Sequence, residues 1–192
     1  EVEVEDDGKL RLAADCGEDV AASILDAAWR RGLRYFDTSP WYGLGLSEQR
    51  MGAYLRHQPR ASFVLSTKVG RLLSLQAEGA PSRPESLPFG ARFDYSYDGT
   101  LRSVEDSLQR LGLARIDLLI LHDLSPRFHG DALDTRYAEA MTGAQRALVD
   151  LRAQGVVAFH TGNAGIFDHA VTRHKDPVFN QRGFNAGRLC AH

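Results

Sequence analysis

Three proton-active side chains stand where apolar, strand-like segments end in this 192-residue sequence. They are Asp37 after residues 33–36, Lys68 after residues 63–67, and His122 after residues 116–121. Tyr42 lies in the loop that follows the first segment, within FDTSPWYGLGLSE. We call these four side chains the polar quartet. Because they fall at equivalent places in successive units, we expect them to meet at one site.

The residue types of the polar quartet suit proton transfer at a carbon–oxygen centre. A tyrosine ordinarily has a pKa near ~10, and a nearby ammonium group favours the phenolate and lowers that pKa. Lys68 supplies such a group, and the Asp37 carboxylate would pair with it. His122 would donate a hydrogen bond to a substrate oxygen, with Tyr42 as general acid or base. Beside a hydride donor or acceptor, this chemistry is carbonyl reduction or alcohol oxidation.

The elements that position the quartet alternate, strand then helix, at intervals of roughly 30 to 45 residues, which predicts an α/β fold with a parallel sheet. An open doubly wound sheet and a (β/α) barrel both fit this order. The open sheet would bind a dinucleotide through G-x-G-x-x-G, but GLGLSE places Glu48 where the third glycine belongs. A barrel draws its site from the carboxyl ends of several strands, as the quartet requires.

The pattern of apolar residues and breakers predicts individual elements. A hairpin pairs residues 2–4 with 10–12, and Val69 to Phe93 is a long loop of the kind that forms lids or binding loops. Ser47 is expected to cap the second helix. The predicted helices span 18–31, 47–56, 98–111, 144–154 and 166–174, and the predicted strands span 33–36, 63–67, 116–121, 156–161 and a segment from 178 onward.

Composition excludes several classes of partner. The net charge of −2 provides no concentrated positive surface for nucleic acid or an anionic membrane. No apolar run approaches the ~18 residues of a membrane span, and the acidic opening EVEVEDDGK does not resemble a signal peptide. Cys16 and Cys190 form no paired motif. We therefore expect a cytoplasmic protein that binds a small molecule and holds no metal.

Three segments together resemble the aldo-keto reductase superfamily. They are DAAWRRGLRYFDTSPWYGLGLSEQRMGAYL, FVLSTKVGRLL and FDYSYDGTLRSVEDSLQRLGLARIDLLILHD, in this order between residues 26 and 123. Within the family they are most similar to a subgroup of dehydrogenases that act on aldoses, L-galactose and pyridoxal. The resemblance implies a (β/α)8 TIM-barrel fold and an oxidoreductase that uses NAD or NADP, bound without a Rossmann fingerprint.

By this resemblance the polar quartet is catalytic. Tyr42 gives or takes the proton, and Lys68 and Asp37 adjust the pKa of Tyr42. His122 orients the carbonyl or alcohol substrate. Asp37 also lies on the cofactor side, and Trp41 forms a wall of the substrate pocket beside Tyr42 and His122. The substrate is expected to be a sugar hemiacetal or a pyridoxal-like molecule.

Beyond residue 123 the resemblance implies two further cofactor ligands. GVVAFHTGN resembles the fifth barrel strand and places Asn163 against the nicotinamide carboxamide, and PVFNQRGFN resembles the next strand and adds Gln181. Such a barrel needs about 250 residues. We therefore expect residues 1–192 to form a single domain with about the first six strands, lacking the last two βα units. The unpaired sheet edges of such a domain predict self-association.

Two other interpretations stay open at this point. One is a non-catalytic interaction protein that keeps the polar quartet but cannot hold a dinucleotide. The other is a metal-dependent barrel hydrolase that uses His122, Asp123 and His160 as ligands, although the sequence has no H-x-H spacing.

Overall fold

A computed structural model describes residues 2–4, 10–12, 17–75 and 86–161 of the chain. The predicted helix 166–174, the predicted strand from residue 178, and both cofactor ligands Asn163 and Gln181 lie outside these residues. The expected domain extent and the number of barrel strands therefore stay predictions.

The strands of the central sheet alternate with helices along the chain, as the sequence pattern predicts. The strands are β1 (Val2–Val4), β2 (Leu10–Leu12), β3 (Tyr35–Asp37), β4 (Val64–Val69), β5 (Arg71–Leu75), β6 (Phe89–Phe93), β7 (Ile116–Leu121) and β8 (Val157–Thr161). The α-helices are α1 (Glu18–Arg30), α2 (Leu46–Leu55), α3 (Tyr97–Leu111), α4 (Pro126–His129), α5 (Leu133–Glu139) and α6 (Gln145–Ala153).

A parallel sheet with the order β3-β4-β7-β8 forms the centre of the fold. In register, Asp37 lies beside Ser66 and Lys68 beside Ile120. The apolar run of β7 is buried almost throughout, as expected for a parallel strand covered on both faces. The sheet confirms the α/β class, and within the described residues its four strands do not close into a barrel.

The helices cover the sheet through apolar stripes. Trp29 of α1 stacks on Phe36 and meets Phe63 edge-on, each at a centroid distance of 6.3 Å. Helix α3 begins where the Ser96 hydroxyl accepts the Gly99 N–H at 3.1 Å. It ends at a left-handed glycine, Gly112. These helices hold the carboxyl ends of β3, β4 and β7 at one edge of the fold.

The segment 69–93 is not one structureless loop, as the sequence analysis expected. Strands β5 and β6 pair antiparallel, from Arg71 opposite Phe93 to Leu75 opposite Phe89. The base of this hairpin is closed by the Asp94 N–H, which donates to the Gly70 carbonyl at 3.1 Å. The hairpin rises at the carboxyl end of β4, next to the polar quartet.

Two helix boundaries also differ from the prediction. Helix α2 begins at Leu46 after the left-handed Gly45, and Ser47 does not cap it; the Ser47 hydroxyl instead bonds the Thr38 hydroxyl at 2.9 Å. The helix expected from residue 144 continues one that starts at Leu133, through a π-turn at Ala140–Ala144. The Ala144 N–H donates to the Tyr95 carbonyl at 2.9 Å, so this turn rests on the start of α3.

Candidate active site

The structure brings the polar quartet together at the carboxyl end of the parallel sheet. Asp37 is the last residue of β3, Lys68 is the penultimate residue of β4, and His122 directly follows β7. Tyr42 opens a short 3₁₀ turn, Tyr42–Gly45, between β3 and α2. Residues from three neighbouring strands and one loop therefore share a single edge of the sheet.

Lys68 connects two members of the quartet. Its ammonium group donates to Asp37 Oδ2 at 2.7 Å and to the Thr38 carbonyl at 2.8 Å. The same nitrogen lies 5.0 Å from the centre of the Tyr42 ring, at cation–π distance. The second Asp37 oxygen accepts the Ser66 hydroxyl. The ammonium group is thus fixed from one side by a carboxylate and a carbonyl, and faces the phenol ring on the other.

His122, at the end of β7, faces the same Tyr42 ring. The two ring centres are 6.0 Å apart and the planes are perpendicular. Tyr42 is 42% exposed, whereas the His122 side chain is largely covered. The phenol therefore stands at the open side of the site, with the imidazole and the ammonium group behind it.

Ser39 sets the tautomer of His122. Its hydroxyl oxygen accepts the Trp41 N–H at 3.1 Å and lies 3.1 Å from His122 Nδ1. Ser39 is fully buried, so its own proton needs an acceptor, and His122 Nδ1 is the one that the described residues offer. With Nδ1 accepting, the imidazole proton is on Nε2, where it can be donated to a substrate.

His122 is a neutral imidazole near pH 7. Burial lowers its pKa from 6.5 to about 4. The Asp123 carboxylate acts in the opposite direction, the cations of Lys68 and Arg71 lower the pKa further, and Asp37 raises it. A neutral donor polarises a carbonyl oxygen without giving up its proton, which leaves proton transfer to another group.

The loop that carries Tyr42 has an unusual backbone. Gly43, Leu44 and Gly45 all have positive φ values, 61°, 50° and 102°. Leu44 is almost fully buried, and that burial offsets the strain of a left-handed non-glycine residue. Leu44 and Leu46 place bulky side chains in this turn, in agreement with the rejection of the G-x-G-x-x-G motif.

Trp41 stacks on an arginine. Its ring lies 4.2 Å from the guanidinium carbon of Arg71, the first residue of β5, and it is half-buried. Arg71 donates through Nε to Oδ2 of Asp123 at 2.6 Å. Asp123 directly follows His122 in the chain. Whether Trp41 forms a wall of the substrate pocket stays a prediction, but its position is fixed beside the quartet.

Several residues of the site were not found from the sequence. Tyr95 is fully buried and its hydroxyl donates to the His122 carbonyl at 2.7 Å. Burial and the nearby Asp123 raise the pKa of Tyr95. A signal for Ser39 was present, since it lies between Asp37 and Tyr42 in one short loop. Arg71 and Tyr95 gave no such signal, because their partners are distant in sequence.

Metal chemistry finds no support in the described part of the chain, where no group of three or more His, Cys, Asp or Glu side chains is arranged to hold a metal ion. His122 and Asp123 are adjacent, but Asp123 is bound to Arg71. Among the same residues, no helix is long and apolar enough to span a membrane.

The polar quartet has one side that is open to solvent. The Asp37 side chain is 39% exposed and Tyr42 is exposed beside it, so the polar face of the site is open. Lys68 and Ser66 hold the Asp37 carboxylate in place. A fixed carboxylate of this kind suits a ligand-binding group better than a mobile surface side chain would. Such a face can receive the nicotinamide end of NAD or NADP.

The chain is similar to several known proteins. The Aldo/keto reductase family model matches residues 13–172. A D-threo-aldose 1-dehydrogenase from Pseudomonas sp. is 44% identical over 163 residues, which cover 81% of this chain and 47% of that protein. A pyridoxal 4-dehydrogenase from Microbacterium luteolum is 43% identical over 149 residues, covering 70% of this chain and 43% of that protein. The chain thus spans about half the length of these curated relatives.

Solved structures give the same result at the level of the fold. An aldo-keto reductase from Bacillus halodurans in its holo form superposes with a TM-score of 0.59 at 26% identity, covering 85% of this chain and 48% of that one. A glycerol dehydrogenase from Gluconobacter oxydans gives 0.54 at 26% identity, covering 75% of this chain and 38% of that one.

Proposed function

The chain belongs to the aldo/keto reductase family, and from this membership we propose that it is the catalytic region of an NAD(P)-dependent oxidoreductase. The observation that carries the proposal is the position of Lys68, between the Asp37 carboxylate and the Tyr42 ring. The neutral His122 faces that ring from the other side. An ion pair with a largely covered ammonium group, an exposed phenol and a neutral imidazole donor form a complete set for proton exchange with a carbon-bound oxygen.

Each member of the quartet has a distinct part in the proposed reaction. In reduction, Tyr42 gives its hydroxyl proton to the carbonyl oxygen, and in oxidation it takes the proton of the substrate hydroxyl. His122 donates its Nε2–H to the same oxygen and fixes the direction of the carbonyl. Lys68 holds positive charge beside the phenol and stabilises negative charge on its oxygen, and Asp37 holds Lys68.

NAD(P), when bound, supplies the acceptor or donor of the hydride. Asp37 lies at the open face where the nicotinamide would rest, and we propose that Asn163 and Gln181 hold its carboxamide. The chain's own residues then bring the substrate oxygen to Tyr42 and the substrate carbon toward that face.

We propose a sugar hemiacetal or a pyridoxal-like molecule as the substrate. The support is the similarity to an aldose dehydrogenase and to a pyridoxal dehydrogenase, each above 40% identity over the matched residues. With a hemiacetal, removal of the hydroxyl proton and of hydride from the anomeric carbon gives a lactone. With a primary alcohol, the same step gives an aldehyde.

The test is a turnover assay of the purified 192-residue chain with NAD+ or NADP+ and L-fucose, L-galactose or pyridoxal. Formation of the reduced nicotinamide is followed by absorbance, and dinucleotide binding by thermal shift. We expect Tyr42→Phe to lower kcat by about 100-fold or more while dinucleotide binding stays unchanged.

Tyr137→Phe is the matched control, because Tyr137 is 46% exposed on α5 and makes no contact with the quartet. This variant should keep full turnover. Equal turnover in Tyr42→Phe and the unaltered chain would refute the assigned role of Tyr42. A folded chain that binds neither dinucleotide would instead favour the non-catalytic interpretation.

A further inference from the structure

We propose that Arg71 is a positioning residue that holds the Asp123 carboxylate away from His122, so that the His122 Nε2–H stays free for a substrate oxygen. This inference rests on the proposed function, because it concerns the imidazole that would face the substrate. It adds a residue outside the polar quartet to the machinery of the site.

Arg71 is fixed in place more firmly than a surface arginine. Its side chain is 9% exposed and its guanidinium carbon lies close to three aromatic rings. The distances to the ring centres are 4.2 Å for Trp41, 4.3 Å for Phe93 and 5.1 Å for Phe128. Within the described residues, its one hydrogen bond runs from Nε to Asp123 Oδ2 at 2.6 Å. The rings therefore surround a cation that, in the part of the chain that the structure describes, is bonded to one carboxylate oxygen.

That oxygen is the one nearest to His122. Asp123 Oδ2 lies 3.6 Å from His122 Nε2, just beyond hydrogen-bond distance. Asp123 also has a left-handed backbone, with φ of 57°, an uncommon conformation for a non-glycine residue. The backbone turn brings the carboxylate beside the imidazole, and the bond to Arg71 stops it short of a direct contact.

The two possible partners of Asp123 therefore compete. If the arginine is absent, the nearest donor to the Asp123 carboxylate is the Nε2–H of His122. A hydrogen bond there would occupy the proton that the substrate needs and would favour the imidazolium. In the imidazolium, Nδ1 also carries a proton and can no longer accept the Ser39 hydroxyl proton. The hydrogen bond that favours the neutral Nε2–H tautomer would then be lost.

The charges around His122 decide the direction of this effect. The imidazole is faced by Asp123 from its own loop, Lys68 from β4, Arg71 from β5 and Asp37 from β3. Lys68 and Asp37 form one pair, and Arg71 and Asp123 form another. Removal of Arg71 leaves one uncompensated negative charge beside the ring, so the pKa of His122 must rise.

The experiment is long-range ¹H–¹⁵N NMR of histidine-labelled protein, which distinguishes the Nε2–H from the Nδ1–H tautomer and follows each imidazole pKa. The signals of His122 among the seven histidines are identified from their loss in His122→Gln. We expect the unaltered chain to show a neutral Nε2–H form at pH 7. Arg71→Met should raise the pKa of His122 by about one unit or more, and Arg71→Met/Asp123→Asn should reverse that rise.

Arg60→Met is the matched control, because Arg60 also pairs with an aspartate, Asp117, at 2.6 Å but at the start of β7. It should leave the His122 signals unchanged. If Arg71→Met does not fold, Arg71→Gln provides the same measurement with a smaller expected rise. An unchanged pKa and tautomer of His122 in a folded Arg71 variant would overturn the inference.

These spectra need no turnover, so they separate this inference from the proposed function. If the chain is active, the acid limb of its kcat/KM profile should move to higher pH in Arg71→Met and return in the double variant. An active enzyme in which the pKa and tautomer of His122 do not change in the Arg71 variants refutes the positioning role alone. An inactive chain whose His122 responds as expected refutes the proposed function alone.

Discussion

Glu48 offers the sharpest test of how the loop of Tyr42 is held. This carboxylate is completely buried in the first turn of α2, three residues after the left-handed Gly45. It accepts the Thr67 hydroxyl at 2.7 Å and Arg110 Nε at 2.6 Å. The bonds join the end of the Tyr42 loop to β4, next to Lys68, and to α3.

The perturbation is Arg110→Met, which removes the cation and keeps most of the side-chain volume. Arg110 is 14% exposed, whereas Glu48 has no contact with solvent, so the unpaired carboxylate cannot be rehydrated. Leaving one charge of a buried pair unpaired costs about 3–5 kcal/mol. Glu48→Gln should cost less, about 2 kcal/mol, because the amide oxygen still accepts the Thr67 hydroxyl. The double variant should cost no more than about 2 kcal/mol, since it leaves no buried charge.

The assay is urea unfolding followed by circular dichroism and tryptophan fluorescence, read as a double-mutant cycle. The control is Arg102→Met on the same helix, which breaks an exposed pair with Asp106. It should change the free energy of unfolding by less than about 0.5 kcal/mol. Losses of the same size for Arg110→Met and Arg102→Met would show that the buried pair does not anchor the loop.

Two further predictions concern stability. The folded-state pKa of His122 lies below its ordinary value of 6.5, at about 4. The stabilisation that the folded chain gains by keeping His122 neutral is therefore complete above pH 6.5, and it is lost as the pH falls toward 4. The free energy of unfolding should therefore drop by about 2 kcal/mol more in the unaltered chain than in His122→Gln between pH 7 and 4.5, and equal slopes would contradict this. Gly70→Ala should destabilise the chain by about 3 kcal/mol, because its φ is 101° and its Cβ would lie 2.3 Å from the ring of Tyr95. Gly155→Ala, with φ of 75° and open space around it, should cost only about 1 kcal/mol; a similar cost at both glycines would argue against the clash.

Local patterns in the sequence were sufficient for the elements that hold the site. The apolar run of β7 and the helical stripe of α3 follow from the types of adjacent residues, and Gly112 marks the end of α3 because a left-handed residue is needed there. The polar quartet could be expected at one edge because parallel strands end together. The structure places its members as that reasoning requires.

The partners of the quartet could not be derived in this way. Arg71 and Asp123 are 52 residues apart and Glu48 and Arg110 are 62 apart, and no periodicity links such positions. The hairpin of β5 and β6 was missed because RLLSL and FGARF lack regular alternation of apolar and polar residues. The start of α2 was misplaced by one residue, since the backbone of Gly45, and not a side-chain cap, sets it.

The closed base of the β5–β6 hairpin makes this part of the protein modular. A single backbone bond between Gly70 and Asp94 brings the two ends of the segment together. Arg71 and Phe93 lie at this base and contact the site, whereas Leu75 and Phe89 form the other end of the paired strands, four residues further along. The end of the hairpin at Leu75 and Phe89 can therefore diversify while Arg71 and the proton-transfer groups stay in place, which offers a route to altered selectivity without a change in the chemistry.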